Sequence, residues 1–187
     1  MNRVIVIEFI TLDGVIEDPD GSDGTPGGGW AFRYGPEAVA GDKFRLGERM
    51  DTGTLLLGRR TWQLFARLWP NRDDPFSTAM NRIPKVVASR SGPDLGAWGN
   101  STLLPGDVAG EVSRLRDRGD VIVAGSVEVV HALIEKDLVD EYRLLVFPVV
   151  LGAGRRLFAS GMPPAELSLR SVEQSGAAVL MSHERNR

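Results

Sequence analysis

Short, continuous apolar runs recur along the chain and predict buried β-strands. The first covers residues 3–10, and similar runs end at Leu57, Ala88 and Ala124. A run without polar alternation is typical of a parallel strand that is covered on both faces. Further strands are predicted over 101–104, 140–150, 166–173 and 177–183. Gly176 marks a turn between the last two, which predicts an antiparallel pair at the C-terminus.

Apolar residues spaced three or four apart predict helices between these strands. Trp62, Phe65 and Trp69 have this spacing after Gly58, so we expect a helix with its aromatic side chains in the core. Further helices are predicted from Asp107 to about Gly119 and after Ser126, because aspartate and serine are good N-caps. The stretch 71–82 is polar and is predicted to be a loop with a short helical turn.

Another helix is predicted from Pro36 to about Met50, because proline suits the first helical turn. Asp42, Leu46 and Met50 recur every four residues, which places Asp42 along an apolar stripe. A carboxylate in that position is a candidate acid or substrate anchor, and we assign Asp42 as the candidate catalytic residue. The alternative, which the periodicity favours, is that Asp42 lies in water at the edge of the stripe.

Residues 17–35 predict a long irregular loop, rich in glycine and carrying Trp30, Phe32 and Tyr34. Loops of this length inside a compact domain are usually functional or disordered. The aromatic cluster favours a lid over a ligand, with Trp30 and Phe32 as candidate substrate contacts. The alternative is a flexible insertion. Asp13 is a third candidate contact, although Asp13-Gly14 also fits an ordinary turn.

The order of strands and helices predicts a single α/β domain over residues 1–187, and composition narrows its function. The net charge of −3 does not suggest a nucleic-acid surface, and the absence of cysteine excludes thiol chemistry and zinc sites built on cysteine. No apolar stretch is long enough to span a membrane, so a soluble cytoplasmic protein is expected. His131 and Glu135 have metal-pair spacing, but a surface pair is favoured and no metal site is predicted.

Three junctions where a strand passes into the next segment carry residues suited to binding an anion. They are Gly58-Arg59-Arg60-Thr61, Ser89-Arg90 and Gly125-Ser126-Val127. Free N–H groups at a helix N-terminus attract anions, whereas cations are disfavoured there unless an anion neutralises them. The two arginines therefore suggest a bound phosphate, and solvated surface charges are an equally weighted alternative. Ligands of open α/β sheets bind at the carboxyl ends of strands, so a phosphate-bearing cofactor is predicted there.

These residues also carry a resemblance to a known family. Thr11-Leu12-Asp13-Gly14, Gly58-Arg59-Arg60-Thr61-Trp62, the segment 84–90 and Gly125-Ser126, in this order of elements, resemble the dihydrofolate reductase fold. The segment 138–158 resembles the branch typified by the C-terminal reductase domain of bacterial riboflavin biosynthesis. The resemblance implies a three-layer α/β/α fold with a mixed, mostly parallel central sheet and antiparallel C-terminal strands.

The resemblance also implies reduction of a small substrate by NADPH. It places the cofactor phosphates on Arg59 and Thr61, and the adenosine 2′-phosphate on Ser89 and Arg90. The turn at Gly125, Ser126 and Val127 would lie under the pyrophosphate and nicotinamide. A serine replaces the second glycine of the family's usual pair at this turn, and it either crowds the backbone or donates to a phosphate. The family further implies a homodimer.

The expected reaction is hydride transfer to a carbonyl or imine carbon, with the proton supplied by Asp42 or by water. The expected substrate is small and heterocyclic, of pterin or aminopyrimidine type. Two other functions stay open: a non-catalytic nucleotide-binding or assembly protein on the same fold, and an enzyme for a phosphorylated metabolite.

Overall fold

The computed structural model describes residues 2–187 and contains one eight-stranded sheet with helices on both faces. The strands are β1 (Val4–Thr11), β2 (Thr54–Gly58), β3 (Lys85–Ala88), β4 (Ser101–Leu103), β5 (Val121–Ala124), β6 (Glu141–Phe147), β7 (Leu167–Ser175) and β8 (Ala178–Arg185). The α-helices are α1 (Arg49–Thr52), α2 (Arg59–Leu68), α3 (Pro75–Arg82), α4 (Val108–Arg116) and α5 (Val127–Glu135).

The sheet has the strand order β4-β3-β2-β5-β1-β6-β8-β7. The first six strands of this order run parallel, whereas β8 pairs antiparallel with β6 and β7 pairs antiparallel with β8. The predicted mostly parallel sheet with a C-terminal antiparallel pair is therefore confirmed. Because β3, β2, β5 and β1 are neighbours, their carboxyl ends form one continuous edge.

Two apolar clusters cover the two faces of the sheet and make the fold three-layered. One packs α2, α3 and the segment 30–50 against one face, with Trp62 at 2% exposure as predicted. The other packs α4 and α5 against the opposite face. β1 contributes to both, since Ile5 and Ile7 point to the first cluster and Val4 and Val6 to the second.

The prediction of a single helix from Pro36 to Met50 is wrong. The structure has two 3₁₀ turns, Pro36–Val39 and Gly41–Phe44, followed only by the four-residue helix α1. Glycines at 41 and 47 weaken helix propensity, and Gly47 adopts φ +54°. A Cβ at Gly41 would lie 2.1 Å from the Phe76 ring, so the chain there needs glycine to pack closely.

The polar stretch predicted as a loop contains a complete helix, α3. Asp74 caps it by accepting a hydrogen bond from the Ser77 N–H at 3.0 Å, and Pro75 takes the first helical position. The Asp-Pro pair was the signal in the sequence that this prediction overlooked. Within residues 2–187, no helix has the length and hydropathy needed to cross a membrane.

Candidate functional site

The three predicted anion-binding junctions lie side by side at the carboxyl edge of the sheet. β2 pairs with β3 and with β5, and Gly58 faces Ala88 in the register. Ser89 therefore follows the strand on one side of Gly58, and Gly125 follows the strand on the other side. Neighbouring strands lie roughly 4.8 Å apart, so the outer two of the three junctions lie about 10 Å apart.

Ser126 ties two of these junctions together through its hydroxyl. The Gly58 N–H donates to Ser126 Oγ at 2.8 Å, and Oγ lies 3.1 Å from both Thr61 Oγ1 and the Ala124 carbonyl oxygen. A hydroxyl carries one hydrogen, and here that hydrogen points to Thr61 Oγ1 or to the Ala124 carbonyl oxygen, so it is not directed to a ligand. Ser126 is 6% exposed. The Ser126 side chain therefore holds the β2–α2 junction against the β5–α5 junction.

Gly125 presents bare backbone at one end of the row of three junctions. It adopts φ +58°, and a Cβ there would lie 3.2 Å from Thr61 Cγ2. Thr61 Oγ1 donates to the Gly125 carbonyl oxygen at 2.8 Å, which holds the turn against the first turn of α2. Glycine adopts this conformation without strain, and its exposed backbone lets a ligand approach closely.

The helices that begin at this edge have open N-termini. Neither Gly58 before α2 nor Ser126 before α5 makes a side-chain capping bond. The helices α3 and α4, in contrast, are capped by Asp74 and Asp107. The first N–H groups of α2 and α5, including that of Val127, are thus available to an anion.

Two arginines begin α2, and a third, Arg90, lies two residues beyond the end of the neighbouring strand β3. Arg59, Arg60 and Arg90 are exposed, and none forms an ion pair with a carboxylate in residues 2–187. Arg59 Nη1 donates to Ser91 Oγ at 2.7 Å, and the Ser89 hydroxyl bonds the Ser91 carbonyl oxygen. The guanidinium and the two serines thus lie within one small region.

This donor set fits the phosphates of NADPH. Arginine forks and serine hydroxyls suit a phosphate group, and open helix N-termini add N–H donors. Gly125 adds exposed backbone beside these donors. A bound phosphate would offset the repulsion that Arg59 and Arg60 meet at the positive end of the helix dipole.

The sequence did not single out Glu8, which lies on β1 directly below this site. Its side chain is 3% exposed and Oε1 has no hydrogen-bond partner in residues 2–187. Burial raises the pKa of Glu8 well above its ordinary range, and a hydrogen bond from the Gly125 N–H partly offsets this effect. The available signal was one acidic residue inside an otherwise apolar strand.

Asp13 holds two loops together. Its carboxylate accepts hydrogen bonds from the Thr11 hydroxyl at 2.7 Å and from the Gly152 N–H at 2.8 Å, with a longer bond from Leu151. These bonds, the Thr11 hydroxyl first, lower the pKa of Asp13 to about 2. The interpretation of Asp13 as an ordinary turn residue therefore accounts for its position, because both oxygens of its carboxylate already accept hydrogen bonds from the protein.

The loop 17–35 is folded around the carboxylate of Asp18. That side chain accepts hydrogen bonds from the N–H groups of Asp23 and Thr25 and from the Thr25 hydroxyl. Trp30 is fully buried, donates to the Glu17 carbonyl oxygen at 2.9 Å and packs edge-on against Phe147. Its ring therefore belongs to the core and is not free to stack on a substrate, contrary to the expectation of a ligand contact.

Phe32 and Asp42 lie at the surface. The Phe32 ring is 50% exposed, which leaves it accessible to a ligand. Asp42 is exposed on the turn Gly41–Phe44, while Leu46 and Met50 are buried. The predicted stripe that joined these three residues is therefore wrong, and the solvent-exposed alternative describes Asp42. No group of three or more His, Asp or Glu residues in the described chain could hold a metal ion.

Comparisons with known proteins agree with this architecture. The chain is 25% identical over 188 residues to the uncharacterized protein YwjB of Bacillus subtilis, covering 98% of each chain. The crystal structure of a putative riboflavin biosynthesis protein from Shewanella sp. PV-4 matches with a TM-score of 0.70 and 21% identity, covering 99% of both chains. A pyrimidine reductase-like protein from Corynebacterium diphtheriae matches with a TM-score of 0.68 and 12% identity, covering 100% of this chain and 92% of that one.

The family assignment rests on a match over almost the whole chain. The model of the RibD C-terminal domain matches residues 2–181, which include every strand end that forms the site. The resemblance seen in the segments around Asp13, Gly58 and Gly125 is thereby confirmed, as is the dihydrofolate reductase-like fold that it implied. This protein belongs to the RibD C-terminal domain family.

Proposed function

We propose that the protein is an NADPH-dependent reductase acting on a small heterocyclic substrate of pterin or aminopyrimidine type. The observation that carries the proposal is the open N-terminus of α2, where Arg59 and Arg60 form no ion pair with a carboxylate of residues 2–187 and Arg90 follows the neighbouring strand β3. Membership of the RibD C-terminal domain family and the likeness to a pyrimidine reductase-like protein support a reductase.

The proposed roles of the residues follow from their positions. Arg59, Ser89 and Arg90 would hold the adenosine 2′-phosphate, because Arg59 and Ser89 converge on Ser91. Arg60 and the first N–H groups of α2 would hold the pyrophosphate. Gly125 lies across Gly58 from Ser89, so it would support the half of the cofactor that carries the nicotinamide.

NADPH, when bound, would supply the hydride. The contribution of the chain is to hold the cofactor and to keep the reacting groups in one orientation. The substrate would lie beyond Gly125, over the end of β1, because β1 is the next strand of the sheet. Since Asp42 is exposed, we propose that solvent supplies the proton.

The test is a titration of the protein with NADPH and NADH, followed by the quenching of tryptophan fluorescence. Loss of a hydrogen bond to a charged group costs about 1.5–3 kcal/mol, so Arg59→Ala should weaken NADPH binding about 10- to 150-fold. NADH lacks the 2′-phosphate, so its binding should change little. Turnover is then measured with pterins and aminopyrimidines.

Arg67→Ala is the matched control for this experiment. Arg67 is exposed on the same helix, and its Nε donates only to the Gln63 carbonyl oxygen. It lies eight residues further along α2, roughly 12 Å from Arg59, so its loss should leave NADPH binding unchanged. Failure of the wild type to bind either nucleotide at micromolar concentration would contradict the proposal.

Binding without turnover would favour the alternative of a non-catalytic nucleotide-binding protein. Preference for a sugar phosphate over NADP⁺ would instead favour an enzyme for a phosphorylated metabolite. The homodimer and the cytoplasmic location stay predictions.

A further inference from the structure

A cavity lies at the C-terminal end of α5, between the start of β6 and the loop 163–165 that precedes β7. Its volume is about 120 Å³, and Ile134, Val139, Pro163 and Pro164 give it apolar walls. Because α5 begins beside the three junctions and Ile134 lies in its last turn, this cavity and the proposed cofactor site lie at opposite ends of the helix. We name it the Tyr142 cavity, after the one tyrosine that lines it.

Tyr142 brings to this cavity a hydroxyl that has no protein partner. The residue is 3% exposed, and its hydroxyl makes no hydrogen bond with another group of residues 2–187. Buried tyrosine hydroxyls usually have a partner. Tyr34, the other tyrosine of the chain, follows this rule and donates to the Pro148 carbonyl oxygen at 3.2 Å. Burial raises the pKa of Tyr142 to about 12, so the hydroxyl keeps its proton at neutral pH and can donate it to a ligand.

Arginine side chains set the charge beside the Tyr142 cavity. Arg185 lines it, and its Nε donates to Asp137 Oδ1 at 2.9 Å while Nη1 donates to backbone carbonyl oxygens. The remaining nitrogen of Arg185, Nη2, makes no hydrogen bond within residues 2–187. Asp137, the one carboxylate that lines the cavity, also pairs with Arg187. The neighbouring Asp140 pairs with Arg187 and Arg116. Three guanidinium groups thus face two carboxylates in these ion pairs, which favours an anion over a cation.

We propose that the Tyr142 cavity is a second binding site, for a small monocarboxylate whose apolar body is about the size of one six-membered ring. The carboxylate would accept hydrogen bonds from the Tyr142 hydroxyl and the Arg185 guanidinium, and the ring would lie against the apolar walls. A cavity of about 150 Å³ accepts benzene, so the volume here suits a single ring and is too small for two fused rings. The inference does not rest on the proposed function, because no residue assigned to the cofactor lines this cavity.

The test is a titration of 4-fluorobenzoate with the full chain, followed by the fluorine NMR signal of the ligand. Tyr142→Phe removes only the hydroxyl and keeps the shape of the cavity. Ala165→Leu fills the cavity from the exposed loop 163–165, where the fold has room for a larger side chain. Tyr34→Phe is the matched control, since it removes the only other tyrosine hydroxyl of the chain. Thermal unfolding of each variant is recorded in parallel.

We expect the wild type to bind 4-fluorobenzoate with a Kd of about 1 mM or below, as is usual for a ligand of this size. Tyr142→Phe should weaken binding about tenfold, because one hydrogen bond to a charged group is lost, and Ala165→Leu should abolish it. Tyr34→Phe should bind within about twofold of the wild type. The neutral 4-fluorobenzamide should bind at least about tenfold more weakly, and 6-fluoro-2-naphthoate should not bind. Tyr142→Phe should unfold at the temperature of the wild type, since its hydroxyl has no protein partner.

Arg59→Ala separates this site from the arginines of the proposed cofactor site. It should leave the binding of 4-fluorobenzoate unchanged, because Arg59 lies at the other end of α5 from the cavity. Weaker binding by Arg59→Ala together with unchanged binding by Tyr142→Phe would place the carboxylate on the cofactor arginines and overturn the inference. It would also be overturned by binding of the benzamide as tight as that of the benzoate, by binding to Ala165→Leu, by a lower Tm of Tyr142→Phe, or by no binding to the wild type up to about 10 mM.

Discussion

Replacing Ser126 by alanine tests how the two main junctions of the site are joined. The substitution removes the acceptor for the Gly58 N–H and the contacts of Oγ with Thr61 and Ala124. An unsatisfied buried donor costs about 1–3 kcal/mol, so we expect the free energy of unfolding to fall by about 2 kcal/mol. For a chain of this size, that corresponds to a decrease in Tm of roughly 4–8 °C.

The assay is denaturant unfolding of the wild type, Ser126→Ala and the control Ser113→Ala. Ser113 is an exposed serine on α4, so its replacement should change stability by less than about 0.5 kcal/mol. Ser126→Ala should also weaken NADPH binding, because the β2–α2 and β5–α5 junctions lose their shared hydrogen bond. Equal stability of Ser126→Ala and Ser113→Ala would refute the reasoning.

A double-mutant cycle with Thr61→Val makes the test specific to the junction. Thr61 Oγ1 lies 3.1 Å from Ser126 Oγ and donates to the Gly125 carbonyl oxygen. Groups in one hydrogen-bond network show coupling of about 0.5–3 kcal/mol, whereas separate sites add. Additive effects of Ser126→Ala and Thr61→Val on stability would show that the two hydroxyls act independently.

The burial of Lys85 and the exposure of Asp42 each predict a measurable effect. Lys85 is fully buried, with Nζ donating to the carbonyl oxygens of Asn81 and Ile83, and burial lowers its pKa to about 8. Because the pKa of Lys85 in the folded protein lies below its ordinary value of 10.5, the unfolded chain binds more protons between about pH 8 and 10.5, and the free energy of unfolding should rise with pH over this range. The control Lys136→Met, which removes an exposed lysine, should show the same rise as the wild type. This rise should be absent in Lys85→Met, and equal pH profiles of the free energy of unfolding in all three proteins would contradict it. Since Asp42 is exposed, Asp42→Asn should keep kcat within about threefold of the wild type, and a loss of more than a hundredfold would restore it as the acid.

Local patterns were enough to predict most of the secondary structure. Continuous apolar runs identified the strands, and the three-and-four spacing around Trp62 identified α2, because both features follow from the repeat of a single element. The three candidate junctions could also be located, since Gly58, Arg59 and Gly125 carry their chemistry within a few consecutive residues. The neighbouring positions of those junctions needed only the rule that parallel strands share a carboxyl edge.

Long-range packing decided what the sequence did not show. The segment 36–50 has helical spacing, yet Gly41 packs against Phe76 and the helix is broken. Trp30 lies in a glycine-rich segment that predicts a lid, but its ring packs against Phe147 in the core.

The site itself shows the same division. From the sequence alone, Ser126 was a candidate phosphate donor and Glu8 was one polar residue in a strand. The tertiary structure turned the Ser126 hydroxyl toward Gly58 and buried Glu8 on β1, next to the strand that ends before Gly125. Such roles depend on partners far apart in the chain, and hydrophobic periodicity carries no information about which distant donor a buried oxygen will meet.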